Sequence, residues 1–189
     1  MPDRPANRAV FLDRDGTIVK DLVYSADPAL LEPLPGVFVA LKKLREAGYR
    51  LIVITNQSGI ARGIFTEAAL NQLHEIMLKL FRKNGVEIDG VYYCPHYPTG
   101  KVERYMRVCD CRKPAPGMIL KAAAEHDIDL ARSWMVGDRA ADIGAGRAAG
   151  CRTIAVLTGD NPPQDEDEPD FTVADMSEAA TAILGHSPQ

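Results

Sequence analysis

The feature that most constrains this chain is an alternation of short, apolar, β-branched runs with stretches of helical periodicity. Leu51–Ile54 carries no polar residue, as a strand covered on both faces should. Ala9–Leu12, Val91–Cys94, Trp134–Val136 and Thr153–Leu157 read the same way, with Phe171–Val173 as a sixth candidate. Val37, Leu41 and Leu44 mark a helix stopped by Gly48. Thr66 suits the N-cap of a longer helix bearing Leu70, Leu73, Met77 and Leu80 and ending near Gly85. Further helices are expected from Pro116 to about Asp127, over Ala140–Ala149 and over Ser177–Leu184. Strands that alternate with such helices need crossover connections. The expected fold is therefore α/β, a Rossmann-like three-layer sandwich around a central parallel sheet. With no internal repeat and no long break in composition, residues 1–189 read as one domain.

Sheets of this kind bind ligands beyond the carboxyl ends of their strands. Those ends are followed by Asp13-Arg14-Asp15-Gly16-Thr17, by Thr55-Asn56-Gln57-Ser58 and by Gly137-Asp138-Arg139. Asp13 and Asp15 alone would suit a turn in which the carboxylates accept backbone hydrogen bonds. Asp138 and Asp142 after another strand, with Lys113 ahead of a helix, change that balance. Carboxylates crowded at one rim repel unless a cation joins them, and Mg²⁺ takes oxygen ligands together with substrate phosphate. Asp142 fits equally a salt-bridge partner of Lys113, Arg139 or Arg147.

A second set, Cys94-Pro95-His96 and Cys109-Asp110-Cys111, spans a segment without periodicity. Three thiolates and an imidazole make a closed structural zinc site. The alternative is free thiols beside a loop histidine, but so long an aperiodic stretch is uncommon in a compact domain unless something orders it. Cys151 lies apart and reads as a core thiol.

Charge narrows the partners. The net charge of −4 is concentrated in residues 165–189, which hold seven acids and no Lys or Arg, while 161–170 reads as an acidic loop. Residues 1–164 then carry all 22 basic groups against 26 acids less those seven, an excess of three. That is too little for nucleic acid but suits a small anion. The longest apolar run, Val37–Leu41, is five residues, against about 20 for a membrane span. With no apolar signal core at the start, a cytoplasmic protein is expected, and nothing demands more than a monomer.

These motifs resemble those of the haloacid dehalogenase-like (HAD) phosphatases. Asp13-x-Asp15-Gly16-Thr17 matches the first motif, Thr55 the second, Lys113 the third, and Gly137-Asp138 with Asp142 the fourth. The resemblance implies Asp13 as nucleophile and Asp15 as general acid and base. It also implies Thr55 and Lys113 on the phosphate oxygens, and Mg²⁺ held by Asp13, the Asp15 backbone carbonyl and Asp138. The run Asn56–Gly63, together with the Cys94–His96 and Cys109–Met118 segments, is similar to the branch of that family acting on heptose bisphosphates in lipopolysaccharide precursor synthesis. That branch has no large cap domain, in keeping with the 37 residues between Thr17 and Thr55. It implies zinc on Cys94, His96, Cys109 and Cys111, and sugar contacts from Asp21, Tyr24, Asn56, Gln57, Ser58, Arg112 and Arg139. Arg112, whose planar fork suits bidentate recognition, is assigned to the remote phosphate. Arg139 stands where that branch often has Lys. A histidinol-phosphate phosphatase is the nearest alternative. A binding module without chemistry would be expected to lack one of Asp13, Asp15, Lys113 or Asp138, and all are present.

Overall fold

The structure is a computed structural model that describes residues 7–160, 163 and 168–186. The expected acidic loop falls largely on 161–162 and 164–167, outside the described residues. Six strands form one wholly parallel sheet: β1 (Arg8–Leu12), β2 (Tyr49–Asn56), β3 (Gly90–Cys94), β4 (Trp134–Gly137), β5 (Arg152–Val156) and β6 (Phe171–Val173). Among the described residues five α-helices accompany them: α1 (Val37–Glu46), α2 (Glu67–Lys83), α3 (Gly117–His126), α4 (Ala140–Ala149) and α5 (Met176–Gly185). β2 is longer than its apolar run, because Tyr49, Arg50 and Asn56 continue the ladder that Leu51–Ile54 began.

The strand alternation sorts side chains between two cores, since successive residues of a strand point to opposite faces. Val10, Leu12, Leu51 and Val53 join Leu41 and Leu44 of α1, Met77 and Phe81 of α2, and Ile183 of α5. Ala9, Phe11, Ile52 and Ile54 join Met118, Ile119 and Ala122 of α3, and Ala145 and Ala149 of α4. Helices therefore cover both faces, giving the expected three-layer sandwich. Thr66 caps α2 by accepting from Ala69 N at 3.1 Å. No separate cap domain occurs among the described residues. Nor is any of their helices long and apolar enough to cross a membrane.

The strand order is β3-β2-β1-β4-β5-β6. The chain winds outward from β1 to β3, then returns to lay β4 on the other side of β1. This reversal leaves a crevice at the carboxyl ends of β1 and β4. Register pairs Leu12 with both Val53 and Val136. Asp13, Thr55 and Asp138 thus emerge within two residues of one level. Asp13 N donates to Val136 O at 2.9 Å, tying the first motif to β4.

Phe11 is wholly buried between β1 and the α3–α4 layer. Phe11→Ala should destabilise the protein by about 3–5 kcal/mol in urea unfolding, and a loss under about 1 kcal/mol would contradict its place in the core.

Candidate active site

The crevice is a cleft of about 390 Å³ lined by Asp13, Asp15, Asp21, Tyr24, Thr55, Asn56, Gln57, Ser58, Arg112, Lys113, Arg139 and Asp142, among others. At its floor Lys113 Nζ donates to Asp13 Oδ1 at 2.6 Å and to Ile54 O at 2.8 Å, and pairs with Asp142 Oδ1 at 2.5 Å. Three acceptors match the three protons of an ammonium. Burial works against the charged lysine, but the carboxylates of Asp13 and Asp142 outweigh it and hold its pKa above the ordinary value. Asp142, in the first turn of α4, accepts from the N-cap Arg139 N at 3.0 Å with its other oxygen, and its ion pair is with Lys113.

Asp138 supplies the third carboxylate. Its Oδ1 accepts from Thr17 Oγ1 at 3.1 Å, whereas its buried Oδ2 accepts no hydrogen bond, with Arg139 Nε standing 3.6 Å away. Burial, then the charges of Asp13 and Asp142, push its pKa up to about 8. Burial likewise raises Asp13 despite Lys113. Gly16 (φ +81°) lets the backbone pass Asp138: a Cβ there would stand 2.6 Å from Oδ2, and one at Gly159 would overlap the same carboxylate. Oxygens of Asp13, Asp138 and Asp142 lie within 4.8 Å of one another. Three buried carboxylates against one ammonium, one of their oxygens lacking a hydrogen bond and approached closely by Gly16 and Gly159, fit a small divalent cation. The Asp15 side chain turns away from this cluster, leaving its backbone carbonyl as the group expected there.

The next tier connects the motifs. Gln57 Nε2 donates to Asp15 Oδ2 at 3.0 Å and to Thr55 Oγ1 at 2.8 Å. Asn56 and Lys113 exchange two bonds, Nδ2 to Lys113 O and Lys113 N to Oδ1, each 3.1 Å. The Asn56 amide thereby fixes the lysine segment instead of reaching across the cleft. At the mouth, Arg139 Nη2 donates to Asp21 Oδ2 at 2.6 Å, while Asp21 Oδ1 accepts from Val23 N at 2.9 Å. This braces the turn in which Val23 (φ +42°) and Tyr24 (φ +58°) adopt left-handed backbone. Arg112 donates from Nη1 to His96 O at 3.4 Å, and its guanidinium lies 5.2 Å from the Tyr97 ring centroid.

Cys94, His96, Cys109 and Cys111 converge behind this mouth. Cys111 Sγ lies 3.1 Å from Cys94 Sγ, 3.2 Å from Cys109 Sγ and 3.2 Å from His96 Nδ1. The segment between them is anchored where Glu67 accepts from Tyr93 Oη at 2.8 Å and Tyr105 Oη at 2.6 Å.

Sequence reasoning missed Arg14 and His74. Arg14 is only 1% exposed; its guanidinium grips Asp15, with Nη2–Oδ2 at 2.8 Å, and Nη1 meets His74 Nε2 at 3.0 Å. A cation between two aspartates after a buried strand was the available signal. Nothing in the sequence linked it to a histidine 60 residues on.

Fold and site together define a phosphohydrolase of the haloacid dehalogenase type. A family model described as HAD-hydrolase-like matches residues 110–179. A D-glycero-beta-D-manno-heptose-1,7-bisphosphate 7-phosphatase of Escherichia coli (strain K12) is 44% identical over 177 residues, covering 93% of each chain. Its namesake in Vibrio cholerae is 50% identical over 155 residues, covering 82% of this chain and 83% of that one. The crystal structure of a D,D-heptose 1,7-bisphosphate phosphatase from B. bronchiseptica, complexed with magnesium and phosphate, superposes with a TM-score of 0.82. It is 33% identical and covers 95% of this chain and 99% of its own. The chain belongs to the family of D-glycero-beta-D-manno-heptose-1,7-bisphosphate 7-phosphatases.

Burial first, then the Arg14 charge, push the pKa of His74 down to about 3 from its ordinary 6.5. An unfolded chain binds a proton here below pH 6.5 that the folded protein refuses. The stabilisation is thus complete above pH 6.5 and lost as pH falls toward 3, with a ceiling on the order of 5 kcal/mol. His74→Gln should flatten that limb of a plot of urea midpoint against pH. Parallel curves for the two proteins would refute the assignment.

Proposed function

We propose that this protein removes the 7-phosphate of D-glycero-D-manno-heptose 1,7-bisphosphate through an aspartyl-phosphate on Asp13. The carrying observation is the Asp13 carboxylate, buried yet facing the cleft, held 2.6 Å from Lys113 Nζ beneath a rim bearing Arg112 and Arg139. A carboxylate is already ionised and is a usable nucleophile; its difficulty is approaching a phosphate dianion. One Asp13 oxygen bonds to phosphorus as the ester P–O bond breaks, and the proton of Asp15 passes to the departing sugar oxygen. Asp15 then takes a proton from a water that attacks phosphorus, the P–O bond to Asp13 breaks, and inorganic phosphate leaves. Burial raises the pKa of Asp15 against the pull of Arg14, the direction a general acid needs. Lys113 and Thr55 face the oxygens on which charge gathers. Mg²⁺ on Asp13, the Asp15 carbonyl and Asp138 would neutralise charge between nucleophile and phosphate.

For the sugar, Asp21, Tyr24, Gln57, Ser58, Arg112 and Arg139 are the proposed contacts, with Arg112 on the remote phosphate, while Asn56 holds the Lys113 backbone. The product would feed ADP- or GDP-activated heptose for lipopolysaccharide or other surface glycans, in the cytoplasm, from a monomer comprising one domain. Zinc on Cys94, Cys109, Cys111 and His96 Nδ1 would order the loop that leads into Arg112 and Lys113. Coordination at Nδ1 leaves the ring proton on Nε2, so Arg107 Nε, now 2.9 Å from that nitrogen, must turn aside in the loaded site.

Asp13→Asn should lower phosphate release from the heptose bisphosphate by at least about 10³-fold, and EDTA should abolish it until Mg²⁺ returns. Turnover by Asp13→Asn at the wild-type rate would sink the mechanism. Faster turnover of histidinol phosphate than of the heptose bisphosphate would reassign the substrate instead. Metal analysis should find about one zinc per chain, and stripping it should expose the 94–111 loop to protease. Unchanged cleavage after removal would defeat the zinc assignment.

A further inference from the structure

We propose that Arg14 and His74 form a buried clamp that positions Asp15 for proton transfer, making both positioning residues for the reaction. The inference rests on the phosphatase reading above. Arg14 Nε and Nη2 each lie within 3.2 Å of both Asp15 carboxylate oxygens, so the guanidinium edge fixes the plane of the carboxylate as well as its distance. Gln57 adds a third constraint on Oδ2 at 3.0 Å. An exposed ion pair of neighbouring residues would contribute little, but this guanidinium is 1% exposed and cannot exchange its partner for water.

What orients Arg14 is His74. Arginine only donates, so at 3.0 Å His74 Nε2 must accept from Nη1, which places the imidazole proton on Nδ1 and leaves the ring neutral. The ring sits in α2, 6% exposed, and is backed by Tyr93 with centroids 5.7 Å apart. It belongs to a helix that carries no motif residue, yet its acceptor aims the cation that aims the acid. Neither Arg14 nor His74 is among the residues assigned above to phosphate or metal, although Arg14 also lines the cleft. The geometry accordingly assigns them to the step in which an alkoxide leaves with a proton.

That step separates a positioning role from a structural one. A sugar alkoxide requires the proton of Asp15 as the P–O bond breaks, whereas p-nitrophenolate departs without it. Rapid-quench measurement of the phosphorylation step should show His74→Leu slowed about tenfold with heptose bisphosphate. With p-nitrophenyl phosphate it should stay within about twofold. His74→Gln, which restores an acceptor near the Nε2 position, should recover most of the rate. Arg14→Lys should lose about 10²-fold on the sugar substrate, the size expected for a misplaced catalytic group; if it does not fold, the His74 pair carries the test. KM should change less than threefold throughout. Equal slowing on both substrates, no slowing on either, or no rescue by Gln would overturn the clamp. A wild-type protein that releases phosphate from neither substrate would overturn the phosphatase reading, and the clamp with it.

Discussion

One ammonium holds the rim together. Lys113 reaches from the segment before α3 to Asp13 after β1, to Asp142 in α4 and to the carboxyl end of β2 through Ile54 O. Four parts of the chain, far apart in sequence, meet at a single buried nitrogen. Two carboxylates this deeply buried would be untenable without it, and removing one partner of such a group typically costs about 3–5 kcal/mol. The same lysine draws the pKa of Asp13 down against the burial that raises it, so the contact that closes the fold also tempers the carboxylate facing the cleft.

The rim and the cysteine cluster are mechanically one structure. Cys111, Arg112 and Lys113 are consecutive, and the amide of Asn56 clasps the backbone of Lys113 from both sides. Tyr93 and Tyr105 converge on Glu67 at the start of α2, the helix that carries His74. The loop that leads into Arg112 is therefore braced at the cluster of Cys94, His96, Cys109 and Cys111, at Asn56 and at Glu67. The mouth opposite is held more lightly, by Arg139 on Asp21 at an exposed ion pair.

Much of this was legible in the chain because its signals are local. The runs at Ala9–Leu12 and Leu51–Ile54 announce strands by composition, and the capping threonine and stopping glycines announce helix ends. Asp13, Thr55 and Asp138 were legible because a parallel sheet collects its strand ends at one edge, and Lys113 because it stands just ahead of a helix in a motif of the family the sequence resembles. Asn56 shows the limit: its place at the rim was evident, but its amide turned to Lys113 backbone, a choice that depends on the neighbouring segment.

The sequence by itself determined the layers, the alternation of strand faces between two cores, and which strand ends meet at the crevice. Each follows from periodicity and from the polar residue that ends a strand. Only the tertiary structure decided which cation serves which carboxylate. Lys113 took Asp13 and Asp142, Arg14 took Asp15 and His74, and Arg139 took Asp21. The physical reason is that charge pairing is fixed by distances of about 3 Å in a low-dielectric interior. Spacing along the chain brings residues to the rim but carries no information at that scale.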